Sequence, residues 1–476
     1  MTATPTGTRT GSNGSGTHRS AEQIGTTDLG PRSLPPLGEQ VASAGLDVTD
    51  TTLGNGLRVL AVRKATVPMV ELRLHIPFGG AGPAHSARAE VLAESMLTGT
   101  ARRDRVGIDT ELALIGGELD TRVDPEHLAL RGDALASGLP TLLDVLADVL
   151  TGASYPDIEV TRERDRLTER LAVARTQPRV IAREALQRRR YGDHPVSREV
   201  PLAEEVAEVT AADVRALHDA AVLPAGSVLV LVGDLDPDAV IGEVERSLRG
   251  WHAESAATPV PPVPEVSGGD IQLVARHGAV QSQIRLSAQA VPRTDERYAA
   301  LQLANLAYGG YFSSRLVENI REDKGYTYSA HSGFDFVGGT GTLVVDADTA
   351  SEVTAAALLE TRYELGRLGL VPPSSSEIES VRQYAIGSLL IGTSSQAGLA
   401  NQLVALADVG LGADWLTAHP RRLADVTAEQ VAEAALEFFA PSRFTGVVVG
   451  DPDTLRPGLL ALGGVSTDGV TADEGG

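Results

Sequence analysis

The sequence repeats one plan twice, on either side of a segment rich in proline and glycine. That segment, residues 254–269, is expected to be an extended, semi-rigid linker. Each half opens with an alternating strand, at residues 70–76 and 282–287, which a helix follows, around residues 87–97 and 298–306. A repeat of this long period predicts two similar α/β units packed together.

The two halves also end in the same way. Thr210 and Thr427 stand before acidic helix starts and are expected to cap them, because a threonine hydroxyl accepts hydrogen bonds from free backbone amides. A valine-rich strand then ends in Gly-Asp, at residues 228–234 and 447–451. The predicted fold class is α+β, in which each half has a mostly antiparallel sheet covered by helices.

Five segments follow from this organisation. Residues 1–45 and 466–476 are small, polar and without periodicity, so we expect disordered tails there. The N-terminal half comprises residues 46–253 and the C-terminal half residues 270–465, joined by the linker at residues 254–269. Each half, at about 200 residues, has the size of a domain or of a pair of small ones.

Charge and composition exclude several classes of function. A net charge of −22 argues against nucleic-acid binding, which needs clustered cations to displace counterions from phosphates. The absence of cysteine excludes disulfides, thiolate zinc sites and cysteine nucleophiles. No apolar run approaches the roughly 20 residues of a membrane span. The N-terminus also lacks the apolar core of a signal peptide, so a cytoplasmic protein is expected.

The histidines form no local metal-binding motif. They stand at positions 18, 75, 85, 127, 194, 218, 252, 277, 331 and 419. No two are one helical turn apart, which excludes His-Glu-x-x-His and its inversion. Histidines that are distant in sequence could still converge in the fold, and this alternative stays open.

A pair of carboxylates lies in the first helix of the N-terminal half. Glu90 and Glu94 are four residues apart and therefore share a face. Such a pair can serve as acid/base machinery, but on this pair alone a solvated surface is the better interpretation. A buried stripe at helical spacing is predicted from Ala87, Val91, Leu92 and Met96.

The same helix ends in Met-Leu-x-Gly-Thr after an alternating strand and a glycine-rich turn. It resembles the start of a pitrilysin/insulinase-type zinc metallopeptidase of the mitochondrial-processing-peptidase kind. Active members carry His-x-x-Glu-His directly before Met-Leu, and residues 91–95 here read Val-Leu-Ala-Glu-Ser. The resemblance implies that Glu94, at the general-base position, is a remnant of a degenerate motif. The family's third ligand, a downstream glutamate, aligns with Arg170, beside Glu169.

Further segments extend the resemblance over most of the chain. Tyr-Gly-Asp-His-Pro at residues 191–195 and the small-residue run at 394–400 match the family in order. What the resemblance implies is a fold of the mitochondrial processing peptidase/LuxS-like metallohydrolase type. It also implies that this chain holds no metal ligands and no cofactor, and that zinc belongs to a partner subunit.

The segment at residues 308–334 resembles the family's pattern of Gly-Gly, Ser-Arg-Leu, Leu-Arg-Glu, then Gly and a downstream tyrosine, with Ile-Arg-Glu at residues 320–322. A helix ending near Arg321, a left-handed stop at Gly325 and a following strand are predicted, with Tyr326 and Tyr328 on one face of the strand. The resemblance implies that Arg321 and Tyr328 bind the substrate backbone and stabilise the oxyanion in the partner's zinc site. Tyr326 is an alternative donor or a lining residue. From the residues alone, Arg321 could instead pair with Glu318 or Glu322 and the tyrosines could pack against the sheet.

The predicted function is that of the non-zinc-binding subunit of a heterodimeric zinc metallopeptidase that cleaves peptides. Its partner would be a homologous subunit with an intact His-x-x-Glu-His. An unfolded peptide is the expected substrate, bound by strand addition to a sheet edge. Two alternatives remain: a catalytically inert scaffold subunit of a larger complex, and a stand-alone peptidase with an unorthodox metal site.

Overall fold

The computed structural model describes residues 45–252, 257–258 and 260–467. Almost all of the first predicted tail, and residues 468–476 of the second, lie outside the described residues. Ser466, where the second tail was expected to begin, pairs in a short strand. The described residues of the predicted linker form neither helix nor strand.

The described residues of the N-terminal half form a six-stranded sheet. Its strands are β1 (Asp47–Thr52), β2 (Arg58–Arg63), β3 (Met69–Pro77), β4 (Glu118–Val123), β5 (His127–Leu135) and β6 (Val228–Gly233). The strand order is β1-β2-β6-β3-β5-β4, and β2 with β6 is the one parallel pair. The sheet is therefore mostly antiparallel, as predicted.

A second six-stranded sheet follows in the described part of the C-terminal half. Its strands are β7 (Ile271–Ala275), β8 (Gln281–Ala290), β9 (Thr327–Val337), β10 (Thr340–Ala350), β11 (Thr445–Gly450) and β12 (Val465–Ser466). The order is β12-β7-β11-β8-β10-β9, so β9 is an edge strand. The two sheets confirm the prediction of two similar α/β units.

Helices cover both sheets. In the N-terminal half they span His85–Ser95, Arg105–Leu114, Leu139–Gly152, Asp157–Ala174, Pro178–Tyr191, Ala203–Ala207, Ala211–Ala221 and Pro237–Ser247. In the C-terminal half they span Tyr298–Asn305, Arg315–Val317, Thr354–Leu370, Ser375–Gly392, Gln396–Ala407, Trp415–Asp425, Ala428–Phe438 and Pro452–Leu462. The short turns of 3-10 helix are Ala136–Gly138, Pro195–Ser197, Ser351–Val353 and Pro441–Arg443, and π-helical turns occur at Leu306–Gly310 and Glu318–Asp323. Among the described residues, no helix has the length and apolarity that a bilayer crossing requires.

Local sequence signals explain where these elements begin and which side they bury. In β3, alternate residues from Val70 to Ile76 are fully buried, because successive side chains of a strand point to opposite faces. Thr210 accepts a hydrogen bond from the amide of Asp213, and Thr427 accepts one from that of Gln430. The predicted strand and both predicted helix caps are confirmed.

One helix of each half packs against the sheet of the other half. Pro178–Tyr191 of the N-terminal half packs on the C-terminal sheet, where Leu186 joins a cluster with Val447. Gln396–Ala407 of the C-terminal half packs on β6 and β3, where Leu403 lies among the valines of β6. Because each fully buried leucine contributes roughly 1.5–3 kcal/mol, this exchange holds the halves together.

Candidate functional site

The helix His85–Ser95 buries the stripe that its apolar spacing predicts. Val91, Leu92 and Met96 are fully buried. Ser95 is fully buried as well, and its hydroxyl donates to the carbonyl of Val91 at 2.5 Å. Neither Val91 nor Ser95 therefore offers a side chain to a site outside the core.

The opposite side of this helix carries a charged cluster. Arg170, on the helix Asp157–Ala174, donates from Nη2 to Oε1 of Glu94 at 2.5 Å. Burial raises the pKa of the half-buried Glu90 to about 7, and the nearby charge of Glu94 adds to the rise while Arg170 opposes it. Two glutamates and one guanidinium thus share this surface.

This geometry changes the register of the degenerate motif. The resemblance to active family members places the two missing zinc ligands at Val91 and Ser95, whose side chains face the core. A shift of one residue turns the side chain by about 100° around the helix axis. Glu90 and Glu94, which are one turn apart, are the residues of this helix that face Arg170. With Arg170 at the third-ligand position, the general-base position falls at Ala93 and not at Glu94.

The residues of this cluster do not fit the zinc ion that the family implies. A guanidinium has no acceptor atom, stays positively charged and repels a cation. Its contact with Glu94 also occupies one of the two carboxylates that remain.

The second candidate group begins with Arg321, which lies on the π-helical turn Glu318–Asp323. Its guanidinium carbon lies 4.8 Å from the centre of the Phe312 ring, and its Nε lies 3.4 Å from Oε1 of Glu322. The side chain is 36% exposed, so the pairing with Glu322 leaves it accessible. Gly325 has φ +65 and ends the turn in the left-handed conformation that was predicted.

Tyr328 is the extra residue of a β-bulge in the edge strand β9. Thr349 of β10 lies opposite Thr327, whereas the preceding residue, Asp348, lies opposite Ser329. The Thr327 hydroxyl closes the bulge by donating to the carbonyl of Asp348 at 2.6 Å and accepting from the amide of Ser329 at 3.0 Å. The side chain of Tyr328 is 96% exposed, because a bulge turns its extra residue away from the ladder.

Tyr326 lies in different surroundings from Tyr328. It precedes β9, its amide donates to the carbonyl of Ile320 at 2.8 Å, and its half-buried ring packs on the C-terminal core. The prediction that Tyr326 and Tyr328 lie on one face of the strand is wrong, because the bulge interrupts the alternation of side chains. Of the two phenols, Tyr328 is the one presented to an approaching molecule.

A groove beside β9 is a feature that the sequence did not indicate. It encloses about 660 Å³ between the helix Pro178–Tyr191 and strands β8 to β10. Both signs of charge line it, from Arg179, Arg190, Arg285, His331, Asp346 and Asp348. Because the helix comes from the N-terminal half and the strands from the C-terminal half, only the folded arrangement creates the groove.

Comparisons with family models agree with the resemblance drawn from the motifs. A model described as insulinase (peptidase family M16) matches residues 58–203. A model described as the peptidase M16 inactive domain matches residues 208–384. The first match lies within the N-terminal half, and the second begins in that half and extends into the C-terminal half.

Relatives and solved structures cover most of the chain. An uncharacterized zinc protease of Mycobacterium tuberculosis is 26% identical over 421 residues, 87% of this chain and 95% of the relative. The alpha subunit of the mitochondrial-processing peptidase of Solanum tuberosum is 26% identical over 159 residues, 33% of this chain and 31% of that subunit. The M16 inactive domain from Pseudomonas fluorescens has a TM-score of 0.78 and 22% identity, with 85% of this chain and 98% of that chain covered.

Proposed function

Since the chain belongs to the insulinase (M16) peptidase family, we propose that it is the non-zinc-binding subunit of a heterodimeric zinc metallopeptidase. The partner is a homologous chain with an intact His-x-x-Glu-His, which supplies the zinc and the general base. This chain supplies Arg321 and Tyr328, which bind the peptide and stabilise the oxyanion in the partner's active site.

The ion pair of Arg170 with Glu94 carries the first part of the proposal. In the chain's own zinc position, no imidazole is present and a permanent positive charge faces the two glutamates. Zinc in the partner would polarise the scissile carbonyl and activate water. The cluster of Glu90, Glu94 and Arg170 offers no group that could replace those functions.

The exposure of Arg321 and Tyr328 supports the second part. A guanidinium offers fixed, permanently charged donors, and a phenol offers one directional hydrogen bond. Donors of this kind stabilise negative charge that develops on an attacked carbonyl. Both side chains are accessible in the isolated chain, as they must be to reach a site on another subunit.

The substrate is an extended peptide segment. β9 is the edge strand of its sheet, and an edge strand can pair with an added strand. The adjoining groove has charges of both signs along its walls, which suits peptides of mixed sequence. The bulge at Tyr328 interrupts the strand edge and aims the phenol at the bound chain.

A reconstitution experiment tests this function. The full chain, a homologous His-x-x-Glu-His subunit and their equimolar mixture are each incubated with a library of unstructured peptides. We expect hydrolysis by the mixture at a rate well above that of either subunit alone, and we expect a chelator to abolish it. A complex that assembles and cleaves nothing would support the inert scaffold. Cleavage by this chain alone would support the stand-alone peptidase.

A further inference from the structure

Two histidines and an aspartate that are distant in sequence meet between the two halves. His75 of β3 and His127 of β5 have ring centres 5.3 Å apart. Asp408, directly after the helix Gln396–Ala407, accepts a hydrogen bond at 2.8 Å from Nδ1 of His75, which lies 333 residues away. One potential ligand atom from each residue lies within 4.8 Å of the others.

The position of the three side chains allows a ligand to reach them from solvent. Their exposed fractions are 14% for His75, 16% for Asp408 and 21% for His127. They are thus half-buried, fixed by the strands on one side and by the helix end on the other. A site of this kind is rigid enough to hold a small ion and open enough to admit it.

The charges around the cluster attract cations. The carboxylate of Asp408 belongs to the cluster, and the carboxylate of Asp124 lies beside His127. The Nδ1 atom of His127 lies 3.6 Å from the carboxylate of Asp124. A carboxylate on one ring nitrogen commonly orients a histidine whose other nitrogen binds a metal.

The equivalent place in the C-terminal half shows that the fold does not require these residues. Arg73 and Arg285 correspond, since each donates from Nη1 to the carbonyl of the preceding residue. His75 lies two residues after Arg73, whereas Ser287 lies two residues after Arg285. On the neighbouring strands, Arg73 pairs with Arg131 and Arg285 pairs with Asp346. His127 lies four residues before Arg131, and Thr342 lies four residues before Asp346. Thr342 accepts a hydrogen bond from Arg190 of the exchanged helix.

We propose that His75, His127 and Asp408 bind one divalent transition-metal ion of the zinc, cobalt or nickel class. Two imidazoles, one carboxylate and a water molecule make a tetrahedral set that zinc accepts. Metal bonds of about 2.0–2.1 Å separate two ligand atoms of such a set by roughly 3.3 Å. His75 and Asp408 would therefore separate slightly, and His127 would move closer to them.

The ion would join the two halves of the chain. His75 and His127 belong to the N-terminal sheet, whereas Asp408 belongs to the C-terminal half. A bound ion stabilises the folded state, because the three ligands lie together only when the halves are packed. This site would replace the expectation that the chain holds no metal ligands, and it does not depend on the proposed peptidase function.

Cobalt titration of the metal-free full chain at pH 8 tests the site. We expect saturation at one ion per chain, a visible absorption band of tetrahedral cobalt and a Tm that rises by several degrees. Because each ligand is lost completely, His75→Asn and Asp408→Asn should each weaken binding by at least about 100-fold. Far-ultraviolet circular dichroism of each variant confirms that it is folded.

The matched control is His277→Asn. His277 belongs, with Asp451 and Asp453, to the other group among the described residues whose side chains lie close enough together to hold a metal ion. Its neighbour Asp451 already accepts hydrogen bonds from Gly278 and Thr454. Unchanged cobalt affinity in this variant supports the proposal. An affinity that survives in His75→Asn, or that falls equally in His277→Asn, overturns it.

Discussion

The guanidinium of Arg170 contacts the carboxylate of Glu94 at 2.5 Å, across 76 positions of the sequence. The two side chains join the helices His85–Ser95 and Asp157–Ala174 at the place where the resemblance to active family members puts a metal ion. A permanently positive side chain therefore faces Glu94 and Glu90 at this place.

Arg170→Ala should have little effect on stability. The side chain of Arg170 is 53% exposed, and exposed ion pairs contribute at most about 1 kcal/mol. We expect the free energy of unfolding, measured by urea denaturation, to fall by less than that amount. Arg162→Ala, on the same helix and with a similar contact to Glu159, is the matched control. A loss above about 2 kcal/mol for Arg170→Ala alone would show that the pair holds the helices together.

Glu90→Gln should make stability less dependent on pH. The pKa of Glu90 is about 7 in the folded chain and 4.5 in its ordinary state. Between these values the folded state binds more protons, so the stability of the natural chain falls as pH rises. Since glutamine stays neutral, the variant should be more stable by roughly 1–3 kcal/mol at pH 8 and nearly equal at pH 4, below the unfolded pKa. Urea denaturation across this range checks it, and a difference that is constant with pH would contradict it.

Thr327→Val should affect the bulge that carries Tyr328. The valine keeps the shape of the threonine but removes the hydroxyl that bonds to Asp348 and Ser329. We expect a loss of about 1–2 kcal/mol in stability and a lower turnover by the two-subunit complex. Thr340→Val is the matched control, since it removes one hydroxyl contact, to the carbonyl of Val337, in the same hairpin. Equal turnover in the two variants would mean that the bulge does not position the phenol.

Much of the fold follows from local signals in the sequence. Alternation located β3 and β8, and the threonine caps located the helices that follow Thr210 and Thr427. These features depend on residues within one strand or one turn. They are readable because side-chain periodicity and capping act over a few residues.

The remaining features depend on contacts that local patterns do not encode. The bulge at Tyr328 arises from the register between β9 and β10, so the alternation that begins at Tyr326 does not reveal it. The exchange of helices brings Asp408 to His75, and no spacing rule connects residues so far apart. The degenerate ligand positions fall at Glu90 and Glu94 because these residues face Arg170. Only the packing of the helix Asp157–Ala174 shows which residues face Arg170.

The most direct test of the account is the turnover number of the two-subunit complex with Tyr328→Phe. The change removes one hydroxyl from a side chain that is 96% exposed, so folding and assembly should be unaffected. Tyr363→Phe, at a tyrosine that is 56% exposed on the helix Thr354–Leu370, is the control. We predict that Tyr328→Phe lowers kcat by roughly 10–100-fold, that Arg321→Ala lowers it by at least as much, and that the control leaves it unchanged. Normal kcat in both Tyr328→Phe and Arg321→Ala would contradict the proposed role of this chain in catalysis.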